Sequence, residues 1–459
     1  PCLRSFTGLF RDSQGEFLID IPENCYICTD VGIAPRQCIF LCNHIIIDDM
    51  KFSFVLPAAF LAAATISCNE APATRQVIFD TADSIGVPYR IPAIASFDDG
   101  TLTAVVDYRH CRSDIGFGRV DLRARISPDN GRTWSDEIVV VEGTGQSGAV
   151  DCGFGDPAIV RDRDSDEILL LAVCGETVYW KQETNRSNPN RVALLRSNDK
   201  GRTWSAWQEI TEQVYSLFDD CAEGCVQSCF VGSGKIFQSR VIKVGSHYRI
   251  YAALCARPGG NRVIYSDDFG QSWKALGGPD AFPARKGDEP KCEELPDGSV
   301  ILSSRAWGGR IFNIYSYDDV AAGTGSWANA AFSGADNHGC TAVGNACNGE
   351  ILIVPARRIS DRAKVRLAFQ SVPLGEGRRN VGIWYREIPE DVIDPEELAA
   401  GWSGPYQVSE DDSAYSTMIL QSDGLIGFFY EEHLNADITG YDMVYEPLSV
   451  ETITGGLYR

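Results

Sequence analysis

The amino-acid sequence predicts an all-β protein, a six-bladed β-propeller. The first observation behind this prediction is the pattern S-x-D-x-G-x-[TS]-W, which occurs at residues 127–134, 197–204 and 266–273. The copies lie about seventy residues apart, and self-similarity at a fixed period is typical of propellers and solenoids. The second is a series of short alternating segments without any long helical period. The third is length, because about 380 residues divided into blades of about sixty give about six blades.

The repeated pattern is the Asp box, or BNR repeat, which forms a hairpin turn. Its Asp bonds nearby backbone, its Gly takes a positive φ, and its Trp anchors the turn against the blade. We therefore interpret Asp129, Asp199 and Asp268 as turn-forming residues and not as catalytic ones. A stretched fourth copy is expected at residues 316–327, where an insertion lengthens the turn.

The remaining elements are short strands, hairpins and one helix. Residues 101–106 and 299–302 alternate as strands do, and residues 390–400 are expected to contain a short helix in an insertion near the rim. Asp-Gly pairs favour tight turns, and they predict hairpins at residues 99–100, 297–298 and 423–424.

The segment before the repeats has the features of an export signal. Met50-Lys51 begins a positive region, residues 52–66 form an apolar run, and Ser67-Cys68 follows, so residues 50–68 are interpreted as a secretory signal too short for a membrane span. The end of this run resembles a bacterial lipobox, which predicts membrane attachment through lipid on Cys68. The alternative is an ordinary signal peptide. Residues 69–75 are then a linker and residues 76–459 the propeller.

Residues 1–49 contain no Met and precede the predicted start. We interpret them as upstream sequence translated in frame, non-native or disordered, and absent from the mature protein. The alternative is a small zinc site formed by two cysteine pairs and a histidine, Cys25, Cys28, Cys38, Cys42 and His44. With the signal, this interpretation predicts a secreted or cell-envelope protein, either periplasmic or a surface lipoprotein.

Charge and cysteine content limit the possible partners. The net charge is −22, which argues against nucleic acid and means that any anion site must be built locally from arginines. No metal-ligand spacing occurs within residues 76–459, so no metal or organic cofactor is expected. Ten cysteines follow Cys68, and an exported protein can pair them, with Cys221, Cys225 and Cys229 as the obvious local cluster. The sequence leaves the pairing and the oligomeric state open.

Three arginines suggest one anion-binding site. Arg90 lies in Tyr-Arg-Ile-Pro, Arg305 follows two serines, and Arg378 begins Arg-Arg-Asn-Val-Gly-Ile. A planar guanidinium binds both oxygens of a carboxylate and keeps its charge at any working pH. Three guanidinium groups are more positive charge than the binding of a neutral sugar requires.

With the Asp boxes and the Arg-Ile-Pro segment, these arginines make the chain from Gln76 to Arg459 resemble the bacterial-type exo-α-sialidases (neuraminidases), which are six-bladed propellers. The resemblance implies that Arg90, Arg305 and Arg378 bind the carboxylate of sialic acid, with Arg379 as the alternative third member. It also implies Asp156 as a substrate contact.

The same resemblance assigns the chemistry. It implies Tyr415 as the nucleophile, Glu289 as the base that takes its proton, and Asp114 as the acid and base at the glycosidic oxygen. Glu431, or its neighbour Glu432, would orient Arg90. Tyrosine suits a substrate whose anomeric carbon carries a carboxylate, because a carboxylate nucleophile would meet like charge there.

The expected function is therefore retaining hydrolysis of terminal α-linked sialic acids on glycoproteins, glycolipids and oligosaccharides. One alternative is trans-sialylation, including an intramolecular form, for which Trp307 and Trp384 are candidate acceptor walls. The other is a non-catalytic sialic-acid-binding propeller, which needs only the arginines. One departure from the family is Asp288, which stands where Asn is common.

Overall fold

The structure, a computed structural model, describes residues 9–11, 17–19, 73–389, 393–435, 437 and 439–459. The chain forms two compact units, residues 1–69 and 70–459. In the first, the short strands β1 (Leu9–Arg11) and β2 (Phe17–Ile19) pair antiparallel. The proposed zinc ligands, the signal segment and Cys68 lie outside the described residues.

The second unit contains six sheets of four or five strands, so the predicted six-bladed, all-β propeller is confirmed. After β3 (Gln76–Phe79), the strands of blade 1 are β4 (Tyr89–Ser96), β5 (Leu102–Tyr108), β6 (Asp121–Ser127) and β7 (Ile138–Val141). Blade 2 contains β8 (Phe154–Arg161), β9 (Ile168–Cys174), β10 (Arg191–Ser197) and β11 (Gln208–Glu209). Blade 3 contains β12 (Ser228–Val231), β14 (Phe237–Val244), β15 (His247–Arg257), β16 (Gly260–Ser266) and β17 (Lys274–Ala275), while β13 (Gly234–Lys235) pairs with β8.

The remaining blades follow in chain order. Blade 4 contains β18 (Asp288–Glu294), β19 (Val300–Ala306), β20 (Gly309–Asp319), β21 (Thr324–Trp327) and β22 (Ala331–Ser333). Blade 5 contains β23 (Ile351–Arg357), β24 (Lys364–Gly375), β25 (Arg379–Ile388) and β26 (Ser403–Gln407). Blade 6 contains β27 (Ser413–Leu420), β28 (Ile426–Glu432) and β29 (Asp442–Leu448), and it is completed by β3.

The pairing of β3 with β29 joins the two ends of the propeller within one sheet. This contact closes the ring without a covalent link. The apolar residues form six main clusters, and each cluster lies between two neighbouring blades. Blade-to-blade packing therefore replaces one central core.

The α-helices within the described residues are short and lie outside the sheets. They are α1 (Thr211–Tyr215), α2 (Pro395–Ala399) and α3 (Val450–Ile453). Helix α2 lies within the predicted segment, and Asp394 caps it by accepting a bond from the Glu397 amide at 2.8 Å. Trp402 after it stacks on Phe312 of β20, with ring centroids 5.6 Å apart. Within the residues that the structure describes, no helix has the length and apolar character needed to cross a membrane.

The first strands of neighbouring blades contact one another, as β4 does with β8 and β27, and as β23 does with β18 and β27. They therefore line the axis. The three Asp-Gly pairs connect the first and second strands of their blades, as predicted. These hairpins and the Asp boxes lie at the end of the strands away from Arg90, Glu289 and Tyr415.

The Asp boxes make the hydrogen bonds expected of turn-formers. In the second copy, the Asp199 carboxylate accepts from the Thr203 amide at 2.8 Å and from its hydroxyl at 2.6 Å. The Ser197 hydroxyl accepts from the Gly201 amide at 2.8 Å. The glycine has φ +87°, and Lys200 before it also has a positive φ of 59°.

The residue before the glycine of the box also contacts the preceding blade, because its carbonyl accepts a hydrogen bond from that blade. Thr103 of β5 donates to the carbonyl of Lys200 at 2.8 Å. Arg196 of β10 donates in the same way to the carbonyl of Phe269 in the third copy, also at 2.8 Å. Each box therefore fastens its own blade to the one before it.

A turn-forming role predicts a loss of stability without a loss of chemistry. Asp199→Ala removes three acceptor bonds, from the Thr203 amide, the Thr203 hydroxyl and the Ser197 hydroxyl. It is expected to cost about 1–2 kcal/mol of unfolding free energy. Urea unfolding should show a lower midpoint, while kcat/KM stays unchanged. A large fall in kcat/KM with an unchanged midpoint would contradict this role.

The predicted fourth copy differs from the other three. Ser316 lies within β20 and pairs with Ser326 of β21, so this connection is an extended hairpin. Trp327 still anchors it, by donating from its indole nitrogen to the Leu276 carbonyl at 3.0 Å. The ten cysteines after residue 73 are all free thiols, so Cys221, Cys225 and Cys229 form no disulfide.

Candidate active site

Four inner strands break their register at a predicted site residue. An extra residue in one strand bends it and redirects a side chain, and such bulges concentrate at functional sites. The shifts lie at residues 90–93 in β4, 155–158 in β8, 288–290 in β18 and 413–416 in β27. They hold Arg90, Asp156, Glu289 and Tyr415 at one end of the axis.

Glu431 connects two of these bulges. Its buried carboxylate accepts from Arg90 through Nε at 2.6 Å and Nη2 at 3.1 Å. It also accepts from the amide of Ile91 at 2.8 Å and from that of Tyr415 at 3.1 Å. Ile91 has φ +60°, which is strained for a β-branched residue. One carboxylate thus fixes Arg90 and satisfies both amides that the bulges release.

Glu432 points elsewhere. Its side chain is 3% exposed and pairs with Arg75, away from Arg90. Successive side chains of a strand point to opposite faces. The partner of Arg90 is therefore Glu431, as the sequence interpretation first named it.

Tyr415 and Glu289 share a hydrogen bond, which the Tyr415 hydroxyl donates. Tyr415 is 7% exposed. Burial, reinforced by the negative charge of Glu289, raises the pKa of Tyr415 well above its ordinary value. The resting phenol is therefore neutral, and a carboxylate acceptor already lies against its proton.

Three guanidinium groups surround Tyr415. Nη1 of Arg305 lies 2.9 Å from Glu289 and 3.3 Å from the Tyr415 hydroxyl oxygen. The guanidinium carbons of Arg90 and Arg378 lie 5.4 and 5.6 Å from the centre of the Tyr415 ring. The structure therefore brings the three predicted arginines together.

Arg378, and not Arg379, faces this group. Arg379 pairs with Asp412 at 2.7 Å, and both side chains are more than half exposed. Arg378, immediately before β25, has φ +66°, and this backbone conformation separates the side chains of the two neighbours. Asp288 contributes from the other side, with its carboxylate 3.6 Å from Nε of Arg305.

Asp114 lies in a second, adjoining group of charges. Its side chain is 62% exposed, and its carboxylate lies 3.1 Å from Nη1 of Arg109. Arg109 is buried and also binds Asp107 through Nε at 3.0 Å and Nη2 at 2.8 Å. Although burial opposes it, the charge of Asp107 raises the pKa of Arg109, and the nearby charge of Arg90 limits this rise, so the two groups are electrostatic neighbours.

Asp156 completes this second group. Its amide, freed by the bulge, donates to Asp107 at 2.9 Å, and its carboxylate lies 3.9 Å from Arg109. Burial, followed by repulsion from Asp107, raises the pKa of Asp156 well above its ordinary value. Burial likewise raises the pKa of Asp107 to about 6, against the opposing charge of Arg109.

These raised pKa values predict how stability depends on pH. Asp107 and Asp156 hold their protons to a higher pH in the folded protein than in the unfolded chain. The free energy of unfolding therefore falls as pH rises from about 4 through the folded pKa values. Asp156→Asn removes the charge and suits φ +54°. It is expected to raise the melting temperature more at pH 8 than at pH 5. The exposed Asp220→Asn is the control, and an equal gain at both pH values would refute the prediction.

The sequence interpretation missed Arg109, Asp107 and Tyr441. Asp107 and Arg109 lie two residues apart at the end of β5, so they share a face, and this spacing just before Asp114 was the available signal. Tyr441 lies 26 residues beyond Tyr415 in a segment without a motif, yet its ring centre is 5.1 Å from the guanidinium of Arg90.

The two tryptophans named as acceptor walls differ. Trp307 is 73% exposed in the turn after Arg305. Trp384 is partly buried and donates to the Thr341 carbonyl at 3.3 Å, so it packs against the fold. Only Trp307 of this pair has its ring available at the surface.

Comparison with known proteins identifies the family and the fold. Residues 103–428 match the model of the BNR repeat-like domain. A sialidase of Paraclostridium sordellii is 27% identical over 376 residues, which cover 79% of this chain and 85% of that protein. A sialidase of Micromonospora viridifaciens is 31% identical over 257 residues, covering 54% of this chain, and the match spans only 38% of that protein's length.

Solved structures share the fold at lower identity. A Hadza microbial sialidase superposes with a TM-score of 0.62 at 20% identity, covering 83% of this chain and 69% of that one. The intramolecular trans-sialidase of Ruminococcus gnavus gives a TM-score of 0.59 at 16% identity, covering 84% and 99%. The chain therefore belongs to the BNR repeat-like family, as a six-bladed propeller of the kind found in the sialidases.

Proposed function

We propose that the protein is an exo-α-sialidase that hydrolyses terminal α-linked sialic acids on glycoproteins, glycolipids and oligosaccharides. The observation that carries this proposal is the buried hydrogen bond from Tyr415 to Glu289 within reach of three arginines. Sialylated glycans are then the partners of the protein. The similarity to sialidases supports the same activity.

Substrate binding follows from charge. The sugar's carboxylate is held by Arg90, Arg305 and Arg378, which present fixed donors in a protein of net charge −22. Glu431 keeps Arg90 in position before substrate arrives, so little reorganisation is needed on binding. Asp156 and Arg109 supply further polar contacts to the sugar.

The first chemical step forms a glycosyl–tyrosine bond. Glu289 takes the phenolic proton as the Tyr415 oxygen attacks the anomeric carbon, and Asp114 protonates the leaving glycosidic oxygen. A neutral phenol is a better nucleophile than a carboxylate at a carbon that carries its own carboxylate, because it meets no like charge. The arginines stabilise charge in the flattened, oxocarbenium-like transition state.

The second step releases the product. Asp114, now ionised, removes a proton from water, which attacks the anomeric carbon and displaces Tyr415. Glu289 returns the proton to the phenolic oxygen. Two displacements at one carbon retain its configuration. The exposure of Asp114 suits this role, because both the leaving alcohol and the incoming water pass through the open side.

Binding without turnover is the less favoured alternative. A lectin needs the arginines but has no use for a buried tyrosine bonded to a carboxylate, which costs desolvation energy. Trans-sialylation differs from hydrolysis only in the acceptor of the second step. The surface ring of Trp307 is the observation that favours it as a second candidate.

Hydrolysis of 4-methylumbelliferyl α-N-acetylneuraminic acid by the protein from Glu70 onward tests the function. Release of the fluorophore, with the α-anomer of free sialic acid as the first product by NMR, is the expected result. A 2,7-anhydro product would indicate intramolecular transfer, and transfer to added lactose would indicate a trans-sialidase. Saturable binding without release would overturn the enzyme proposal. Residues 50–68 support export to the cell envelope or the medium as the place of action.

A further inference from the structure

The end of the axis away from the candidate active site contains a cavity of about 270 Å³. It is lined by residues at the far ends of β4, β8 and β27, together with β14 and β23. Leu420 lines it and lies five residues beyond Tyr415 on β27, which is roughly 17 Å of extended strand. The cavity is therefore separate from the proposed catalytic group.

Four cationic side chains line this cavity. Its charged lining residues are Arg161, Arg163, Lys235, Arg240 and Asp98. Two of these cations are compensated by carboxylates behind the lining. Lys235 lies 3.4 Å from Glu293 and 3.3 Å from Glu350, and Arg240 lies 2.7 Å from Glu293.

The ion pairs of these residues leave donors free. Arg161 pairs with Asp98 at 2.6 Å, but that carboxylate is 84% exposed and shared with water. Arg240 uses its Nη1 on Glu293 at 2.7 Å and its Nη2 on the Ile353 carbonyl at 3.2 Å. Arg163 is exposed, and it makes no ion pair with any of the residues that the structure describes. Its guanidinium therefore brings five unassigned donors to the cavity.

Aromatic rings hold the three arginines in place. The guanidinium carbon of Arg161 lies 5.7 Å from the ring centre of Phe97, and that of Arg240 lies 5.0 Å from Phe237. Contact with a ring face uses no N–H group, so it positions a guanidinium while leaving its donors for an anion. Arg163 is held in the same way, 5.6 Å from Tyr248.

The electrostatics of Arg163 agree with this geometry. Burial, followed by the positive charges of Arg240 and Arg161, lowers the pKa of Arg163. The nearest opposing carboxylate, Glu294, is already bonded to the Ser239 hydroxyl and to the Arg240 amide at 2.7 Å. Among the described residues, the guanidinium of Arg163 thus has no matching carboxylate, whereas Arg161, Lys235 and Arg240 each have one.

We propose that this cavity is a binding site for a compact oxyanion of phosphate chemistry, held by Arg161, Arg163 and Arg240. The volume lies just below the usual range of small-molecule sites, which suits an ion or the phosphate end of an ester. Gln238 fixes the approach of Arg163, because its side-chain oxygen accepts from the Arg163 amide at 2.8 Å. This site is independent of the proposed sialidase chemistry.

Isothermal titration with inorganic phosphate at constant ionic strength tests the site. Arg163→Gln is expected to weaken binding at least about tenfold, because it removes a charged fork of donors. Arg285→Gln is the matched control, since it removes the same charge from an exposed pair with Glu223. Equal affinity in wild type and Arg163→Gln would overturn the proposal, as would no heat of binding up to about 10 mM phosphate.

A second experiment distinguishes phosphate binding in this cavity from phosphate binding by the arginines around Tyr415. Arg378→Gln should leave the phosphate affinity of the axial cavity intact, and loss of all binding in this variant would overturn the proposal. Circular dichroism and kcat/KM of Arg163→Gln should match wild type, because its side chain lies far from Tyr415. Binding of glucose 6-phosphate with the same dependence on Arg163 would identify an ester end-group, and binding of phosphate alone would identify the free ion.

Discussion

Tyr415→Phe is expected to abolish turnover, lowering kcat by at least about 10³-fold, because loss of the nucleophile removes the covalent step. The phenyl ring remains between Arg90 and Arg378, so binding of a sialic acid analogue should persist. Steady-state release of 4-methylumbelliferone gives kcat, and calorimetric titration with the analogue gives Kd.

Tyr430→Phe is the matched control. Tyr430 is fully buried in β28 of the same blade, and its hydroxyl accepts from Arg75 at 3.3 Å, away from Glu289. Loss of this hydroxyl should change kcat by less than about tenfold. If Tyr415→Phe and Tyr430→Phe lose activity equally, the effect is structural, and the assignment of Tyr415 as nucleophile is wrong.

Glu431→Gln is expected to reduce kcat/KM by roughly 10²-fold, mainly through KM, because Arg90 loses the partner that aims it at the substrate carboxylate. The same change leaves the Arg90 charge without its partner and is expected to destabilise the fold by about 3 kcal/mol. Urea unfolding measures the second effect, and steady-state kinetics measure the first.

Glu432→Gln separates these two effects. Both carboxylates are buried and paired with arginine, so both variants should lose stability. Only Glu431→Gln, which removes the partner of Arg90, should raise KM. Equal KM values in the two variants would show that Glu431 has no role in positioning Arg90.

Repetition explains why the fold could be predicted from the sequence. Asp199, Gly201 and Thr203 form a turn through bonds within seven residues of chain, so the motif alone determines it. Three such turns at one spacing predict blades, and blade size predicts their number. The stretched copy at residues 316–327 was less predictable, because its hairpin depends on strand pairing and not on the motif.

The candidate site could be predicted only in part. The motifs around Arg90, Glu289, Arg305 and Tyr415 named residues that the structure brings together. Arg109 was missed, because its importance depends on burial between Asp107 and Asp114, which no local pattern reveals.

What the sequence by itself determined is the local chemistry: the turn type of each Asp box, the alternation of the strands, and the residue types needed to bind a carboxylate. Only the tertiary structure decided which way the side chains of these residues point. Arg378 faces Tyr415 because of its positive φ, while Arg379 faces solvent. Glu431 reaches Arg90, 341 residues away in sequence, because two bulges bring their free amides to one carboxylate. Closing the ring of blades fixes such long-range contacts, and no short stretch of sequence contains them.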